Sequence, residues 1–414
     1  MKDSGIKWMS KIPIHWTVER GKNILTILNR PIEKNDGVVT CFRNGEVTLR
    51  SNRREDGFTF ALQECGYQGI EKGDLVVHGM DGFAGAIGIS DARGKASPVL
   101  NVMDSKQNKK YLMYELRVIA FIGVFLSLST GIRVRSCDTN WNKIKNLHLF
   151  LPPLEEQHRI ADFLDRKCAE IDNVLEKTRS SIEEYKKLKQ SVITQAVTKG
   201  IRGERQMKDS GIEWIGEIPI EWQLTKVKWL LHERKEHSQF GKEEPLSMSQ
   251  KQGIIPTRNM SSIPNMASSF VGAKLVHKGD LVFNKLKAHL GVFSVSSYNG
   301  LVSPDYAVYY SSGLAEMQLL QYLFKTDIYI VEFKKRSTGV GAGLTRLYTN
   351  ELFAIYVGLP SKEEQNEICK YLNQKCAEID TLISKKERLI AELEAYKKSL
   401  IYEYVTGKKE VASD

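Results

Sequence analysis

Two stretches of the chain carry apolar residues at alternating steps of four and three. In the first these are Leu164, Cys168, Ile171, Leu175, Thr178, Ile182, Tyr185, Lys189, Val192 and Ala196. In the second they are Leu372, Cys376, Ile379, Ile383, Lys386, Ile390, Leu393, Lys397, Leu400 and Tyr404. A mostly apolar seam at heptad spacing predicts a long helix that needs a partner helix. The candidate interhelix seam runs from Leu164 to Val192 and from Leu372 to Leu400. Pro152-Pro153 followed by Glu155 and Glu156 reads as a helix start, with acids at the positive end of the helix. Gly200 and Gly407 read as stops. Roughly 43 residues at ~1.5 Å each give a rod of ~65 Å. Two such rods in one chain can pair with each other.

Ahead of the first rod the pattern changes to short β-like runs broken by turn residues. These are Gly37–Thr40, Glu46–Leu49, Gly73–Val77 and Gly85–Ile89, followed by a more helical segment from Lys110 to Leu128. This mixture predicts an α+β unit with a curved sheet over residues 17–150.

The whole plan then repeats. MKDSGIKWMSKIPIHW at 1–16 returns as MKDSGIEWIGEIPIEW at 207–222, and Leu151–Gly200 aligns without a gap with Leu359–Lys408, 208 residues later. Within the globular parts Lys72-Gly-Asp-Leu75 answers Lys278-Gly-Asp-Leu281, Ser97-Pro98 answers Ser303-Pro304, and Ser129-Thr-Gly131 answers Ser337-Thr-Gly339. A period this long is a duplicated domain with its helix and not a solenoid. The expected divisions are 1–150 (with its opening tag 1–16), 151–206, 207–358 (with its tag 207–222), 359–408 and a tail at 409–414. The tags and helices repeat closely, whereas the globular units share only a skeleton. A common scaffold carrying two different readers would leave this imprint.

Composition narrows the class. The chain has 414 residues, 42% hydrophobic and 27% charged. No run of 18 apolar residues appears and the first residues lack a signal-peptide core, so a cytoplasmic protein is expected. Six cysteines are scattered with no Cys-x-x-Cys pair, which argues against a disulfide or zinc framework. The net charge of +10 suits a polyanionic partner. The surplus is uneven: residues 1–206 hold 33 Lys/Arg against 25 Asp/Glu, and the rest 27 against 25.

Catalytic patterns are weak. Pro304-Asp305 with Glu332-Phe-Lys334 imitates a metal-dependent nuclease, but the first copy has Pro98-Val99 and Leu126 in the equivalent places. His232 and His237 stand five apart instead of the four a zinc-protease helix needs. Gly339-Val-Gly-Ala-Gly343 lacks the Lys-Ser/Thr of a phosphate loop. No metal, cofactor or nucleophile site is therefore expected on this chain.

The basic and amide side chains beside the expected loops are more informative. In the first copy they are Arg43, Asn44, Arg50, Asn52, Arg53, Arg54, His78, Arg93, Lys95, Arg133 and Arg135. In the second they are Lys251, Arg258, Asn259, Asn284, Lys285, Lys287, His289, Arg346 and Tyr348. Arg and Asn make bidentate bonds to guanine and adenine edges, and Lys mostly holds phosphates. As a set in a duplicated basic protein they are candidate DNA-binding residues.

These motifs taken in order resemble the DNA-specificity subunit of type I restriction–modification enzymes over nearly the whole chain. The carriers are the opening tags, the Lys-Gly-Asp-Leu strand starts, the Ser-Thr-Gly segments, the Leu-Pro-x-x-Glu-Glu-Gln helix starts with Cys-Ala-Glu-Ile-Asp, and Ala-Val-Thr-Lys-Gly at 196–200. One departure is Val405-Thr-Gly-Lys408, a shortened second ending. The resemblance implies an α+β fold with two duplicated target-recognition domains, separated by two long helices that pair as an antiparallel coiled coil with pseudo-twofold symmetry. It implies that each domain reads one half of a bipartite double-stranded DNA site. It also implies a non-catalytic chain that recruits two adenine-methylating modification subunits and, through the complex, ATP-dependent restriction subunits. S-adenosylmethionine, ATP and magnesium then belong to those partners. A rod of ~65 Å exceeds the ~34 Å of one DNA turn, so it could serve as a ruler between half-sites. A nuclease built on Asp305, Glu332 and Lys334, or a protein-only coiled-coil adaptor, are the competing readings.

Overall fold

The computed structural model describes residues 1–6, 8–53, 65–127, 139–249, 252–260, 269–339 and 345–412. Arg54, Arg133, Arg135 and Lys251 lie outside the described residues. The chain divides into unit 1, Met1–Arg179 with Glu387–Asp414, and unit 2, Ser180–Lys386.

In unit 1 the opening tag is a hairpin, Lys2–Ile6 against Met9–Ile12. The next strand, Thr17–Arg20, pairs antiparallel with His148–Leu151 just before the first long helix, so the domain closes where the helix begins. Between these lie two four-stranded sheets. One runs in the order Thr26–Ile27, Leu100–Asp104, Leu75–His78, Ile87–Ile89. The other runs Val47–Leu49, Val38–Cys41, Gly94–Ala96, Gln68–Ile70. The expected helical segment is split: Lys109–Phe121 ends before Gly123, whose φ of +81° breaks the helix, and Val124–Ser127 follows.

Unit 2 repeats this construction. Met207–Asp209 pairs with Glu217–Pro219, and Gln223–Lys226 with Tyr356–Leu359. Its four-stranded sheet has the same order: Leu231–Glu233, Tyr306–Ser311, Leu281–Asn284, Phe293–Val295. The second sheet consists of two pairs, Leu246–Ser249 with Gly253–Pro256 and Lys274–Val276 with Gly300–Val302, linked by a parallel bridge between Pro245 and Leu301.

The long helices are Leu154–Lys199 and Lys362–Val405. Gly200 and Gly407, at φ +79° and +65°, stand just past their ends. In unit 1 Leu164, Cys168, Ile171 and Leu175 join one core with Leu400 and Val405, and Ile390 and Leu393 are packed against it. Lys397 Nζ reaches Asp172 at 2.6 Å, and Arg179 reaches Glu394 at 2.7 Å. In unit 2 Leu372 and Cys376 share a core with Ile193 and Ala196, with Val192 packed against it. Ile182 and Ile379 are buried, Tyr185 and Ile383 are half-buried, and Lys189 Nζ reaches Asp380 at 2.6 Å. In each unit the numbering rises along one helix as it falls along the other, which is antiparallel pairing. Lys189 and Lys397 interrupt the apolar pattern because each extends to the aspartate closing a Cys-Ala-Glu-Ile-Asp motif.

The repeated motifs are the joints between tag, domain and helix. Trp16 and Trp222 are buried, and their indole N–H groups donate to Glu156 and Glu364, each at 3.2 Å. Gln157, fully buried, accepts from the Asn108 N–H at 3.0 Å and donates to the Pro152 carbonyl at 2.9 Å. Gln365 does the same with Glu316 N–H at 2.7 Å and the Pro360 carbonyl at 3.0 Å. A buried amide left without these partners would cost on the order of 1–3 kcal/mol, which explains why Gln is specified twice.

Candidate nucleic-acid interface

The strand starts at Lys-Gly-Asp-Leu position the loops that could meet DNA. Asp74 and Asp280 are both 3% exposed. Each caps the turn before its strand, accepting from Glu71 N–H or His277 N–H at 2.8 Å. Each is also gripped by an arginine on two nitrogens: Arg30 with Asp74, and Arg234 with Asp280 at 2.7 and 2.9 Å. The repeated aspartate is visible in the sequence, but its partners are not. Arg30 and Arg234 do not share the offset of the motif, because the intervening loops differ in length.

The strands end in a loop of one design. His78 Nδ1 accepts from Met80 N–H at 3.2 Å and Asp81 N–H at 3.1 Å. Asn284 Oδ1, in the same place, accepts from Leu286 N–H at 3.1 Å. A single 3-10 turn follows, Gly82–Ala84 or Ala288–Leu290, closed by Gly85 or Gly291 at φ +96° and +70°. Burial lowers the pKa of His78, against the pull of Asp81 and with a smaller contribution from Arg43, in keeping with an Nδ1 that accepts.

In unit 1 the hairpin tip at 42–46 lies beside this loop. Arg43 donates through Nε and Nη2 to Asp81 Oδ1 at 3.2 and 2.8 Å and is 60% exposed. Asn44 accepts from the Glu46 N–H at 3.3 Å and shapes the tip. Arg53 pairs with Glu46 at 2.5 Å and lies over Phe42. Arg50 donates to Thr40 at 3.3 Å and Asn52 to Thr48 at 2.8 Å. Arg93 is engaged by Glu33, Asp36 and Glu71, so its guanidinium is committed to the fold. Lys95 is half-buried on the strand Gly94–Ala96.

Unit 2 gathers its basic residues more tightly. Leu347 N–H donates to the Lys285 carbonyl at 3.0 Å, which ties the loop bearing Lys285, Lys287 and His289 to Arg346 and Tyr348. Burial lowers the Lys285 pKa, and Lys274 and Arg346 lower it further. His289 Nδ1 and Arg346 Nε are buried with no hydrogen-bond partner. Lys287 and Tyr348 are exposed. Arg258 is 73% exposed beside Glu244, and Asn259 is exposed on the same short turn.

The acids of the nuclease-like pattern are each held by an arginine. Arg346 donates to Asp305 at 3.1 Å, and Arg336 to Glu332 at 2.7 Å. Among the described residues no group of three or more His, Cys, Asp or Glu could hold a metal ion. No helix among them is long and apolar enough to cross a membrane.

Known proteins share this duplicated α+β plan with two long helices. No family model matches the chain. Two proteins of Methanocaldococcus jannaschii align with it at 26% identity. The type I restriction enzyme MjaVIII specificity subunit does so over 314 residues, 72% of this chain and 69% of its own. The specificity subunit carrying the MjaX designation does so over 320 residues, 75% and 71%. A chain from a structure of type I R-M system assembly and conformational transition superposes with a TM-score of 0.68, at 15% identity, over 96% of this chain and all of that one. The HsdS subunit of Thermoanaerobacter tengcongensis superposes with a TM-score of 0.52, at 16% identity, over 96% and 98%. In sequence the chain is thus similar to type I restriction enzyme specificity subunits, and in fold to HsdS.

Proposed function

We propose that this chain is the non-catalytic, sequence-specific DNA-binding subunit of a type I restriction–modification complex. Each unit reads one half of a bipartite double-stranded site, and the two long helices set the gap between the halves. The observation that carries this reading is the pairing of one scaffold with two sets of loop side chains. Asp74 and Asp280, Gln157 and Gln365, and Trp16 and Trp222 do the same work in both units, while the loops they support differ. The DNA-facing set comprises the exposed members Arg43, Asn52, Arg53, Lys287, Arg258, Asn259 and Tyr348, with Lys285, His289 and Arg346 behind them.

The catalytic steps fall to partners: two adenine-methylating subunits with S-adenosylmethionine, and restriction subunits that use ATP and magnesium. The helices offer surfaces for the first of these. Val174 and Leu188 on one helix, and Leu382, Leu389 and Tyr396 on the other, are exposed apolar residues one position ahead of the seam. An apolar stripe wider than a two-helix seam suits further helices packing alongside. The test is to replace residues 17–150 with another recognition domain and map methylation by the complex. One half-site should change while the other half and the gap stay. A simultaneous change in both halves would sink the modular reading.

A further inference from the structure

We infer that Arg43, held by Asp81, reads a guanine in the half-site of unit 1. The inference rests on the DNA-reading function proposed above. Asp81 Oδ1 takes two N–H groups from one side of the guanidinium, Nε–H and one Nη2–H. The opposite, end-on edge, Nη1–H with the second Nη2–H, is left to present a planar fork. That fork matches guanine O6 and N7 in the major groove, and an oriented Arg loses less freedom on binding than a free one. Arg43 is more exposed than Arg53 or Arg93, the other candidate arginines of unit 1 that form ion pairs among the described residues. Arg93 is spent on three carboxylates, and Arg53 is drawn onto Glu46 and Phe42.

The support of Arg43 is layered. Thr139 donates its hydroxyl to the carbonyls of His78 and Gly79 at 2.8 and 2.9 Å, which fixes the strand end. His78 then caps the turn through Met80 and Asp81 N–H, and this sets the Asp81 carboxylate under the guanidinium. His78 is thus a positioning residue with no direct part in base reading. Unit 2 supplies an internal control, since Asn284 makes the same kind of cap with an amide oxygen.

The test uses the chain in complex with its modification subunits, expressed in a host free of adenine methylation, with methylated sites mapped genome-wide. In Arg43→Lys one G·C position in one half-site should lose discrimination on the order of 10–100-fold, with the other half-site unchanged. Asp81→Asn should relax the same position by less. His78→Ala should relax it too, whereas His78→Asn should restore it. If turnover is lost, binding to duplexes with each base pair replaced in turn gives the same readout. A motif unchanged in Arg43→Lys overturns the inference and leaves the proposed function standing. So does weakening in Arg43→Ala that is uniform across sequences with a shallower salt dependence, which would make Arg43 a phosphate contact. No sequence-specific methylation by the wild-type complex would sink both.

Discussion

The loop after Leu75–His78 and the loop after Leu281–Asn284 have the same backbone and opposite chemistry. Their capping positions, Asp81 and Lys287, have φ of −112° and −121°, and both turns close on a left-handed glycine. Yet one position is an acid that holds an arginine from a neighbouring hairpin, and the other is an exposed lysine. The difference shows how a duplicated scaffold can diverge in the chemistry it presents. The cap, the turn and the buried aspartate fix where a side chain stands, and its identity is then free to change.

A second contrast lies at the helix joints. In unit 1 the glutamate that receives the tag tryptophan also meets His15, at 2.8 Å. In unit 2 the matching tag residue is Glu221, and two acids at one joint would repel. Arg205, from the linker after the first long helix, bridges Glu364 at 2.5 Å and Glu221 at 2.8 Å. Its side chain is 10% exposed and that of Glu364 is 3%, whereas His15 is 53% exposed. Arg205→Ala should therefore destabilise unit 2 by about 3 kcal/mol. His15→Ala should cost unit 1 less than about 1 kcal/mol. Hydrogen exchange in residues 207–222 against 1–16 would measure both, and equal losses would contradict the contrast.

The next effect depends on pH. Glu115 is buried in unit 1, one carboxyl oxygen accepting from Phe150 N–H and the other unpartnered. Unit 2 has Leu323 at the matching place. Burial raises the Glu115 pKa well above the usual carboxylate range, and the Phe150 hydrogen bond only partly opposes this. The folded state thus favours the protonated acid. Its contribution is complete below the ordinary glutamate range and is lost as pH rises through the raised value. Glu115→Gln should flatten the fall in stability between pH 5 and pH 9. Thermal unfolding at the two pH values should show this in unit 1 and leave unit 2 unaffected.

The smallest effect concerns salt. Lys287→Ala should lower the slope of log binding constant against log salt by about 0.9, the value of one phosphate contact. Asp81→Ala, at the same turn position, should not lower it. A binding titration over several salt concentrations separates the two outcomes.

The sequence by itself determined the long helices and the duplication. Heptad spacing, capping residues and a repeated register are properties of neighbouring positions, so they survive in one dimension. The tag tryptophans and the Glu-Glu-Gln helix starts were also visible as repeats. Only the tertiary structure decided what they do, because Trp16 and Trp222 bond to Glu156 and Glu364, 140 and 142 positions away, and Gln157 and Gln365 accept from residues 49 positions away. The same holds for the site. Arg93 and Arg43 look alike in the chain, but folding surrounds one with three carboxylates and presents the other on a single one. Electrostatic environment depends on what lies within a few ångströms in space, and spacing along the chain does not encode it.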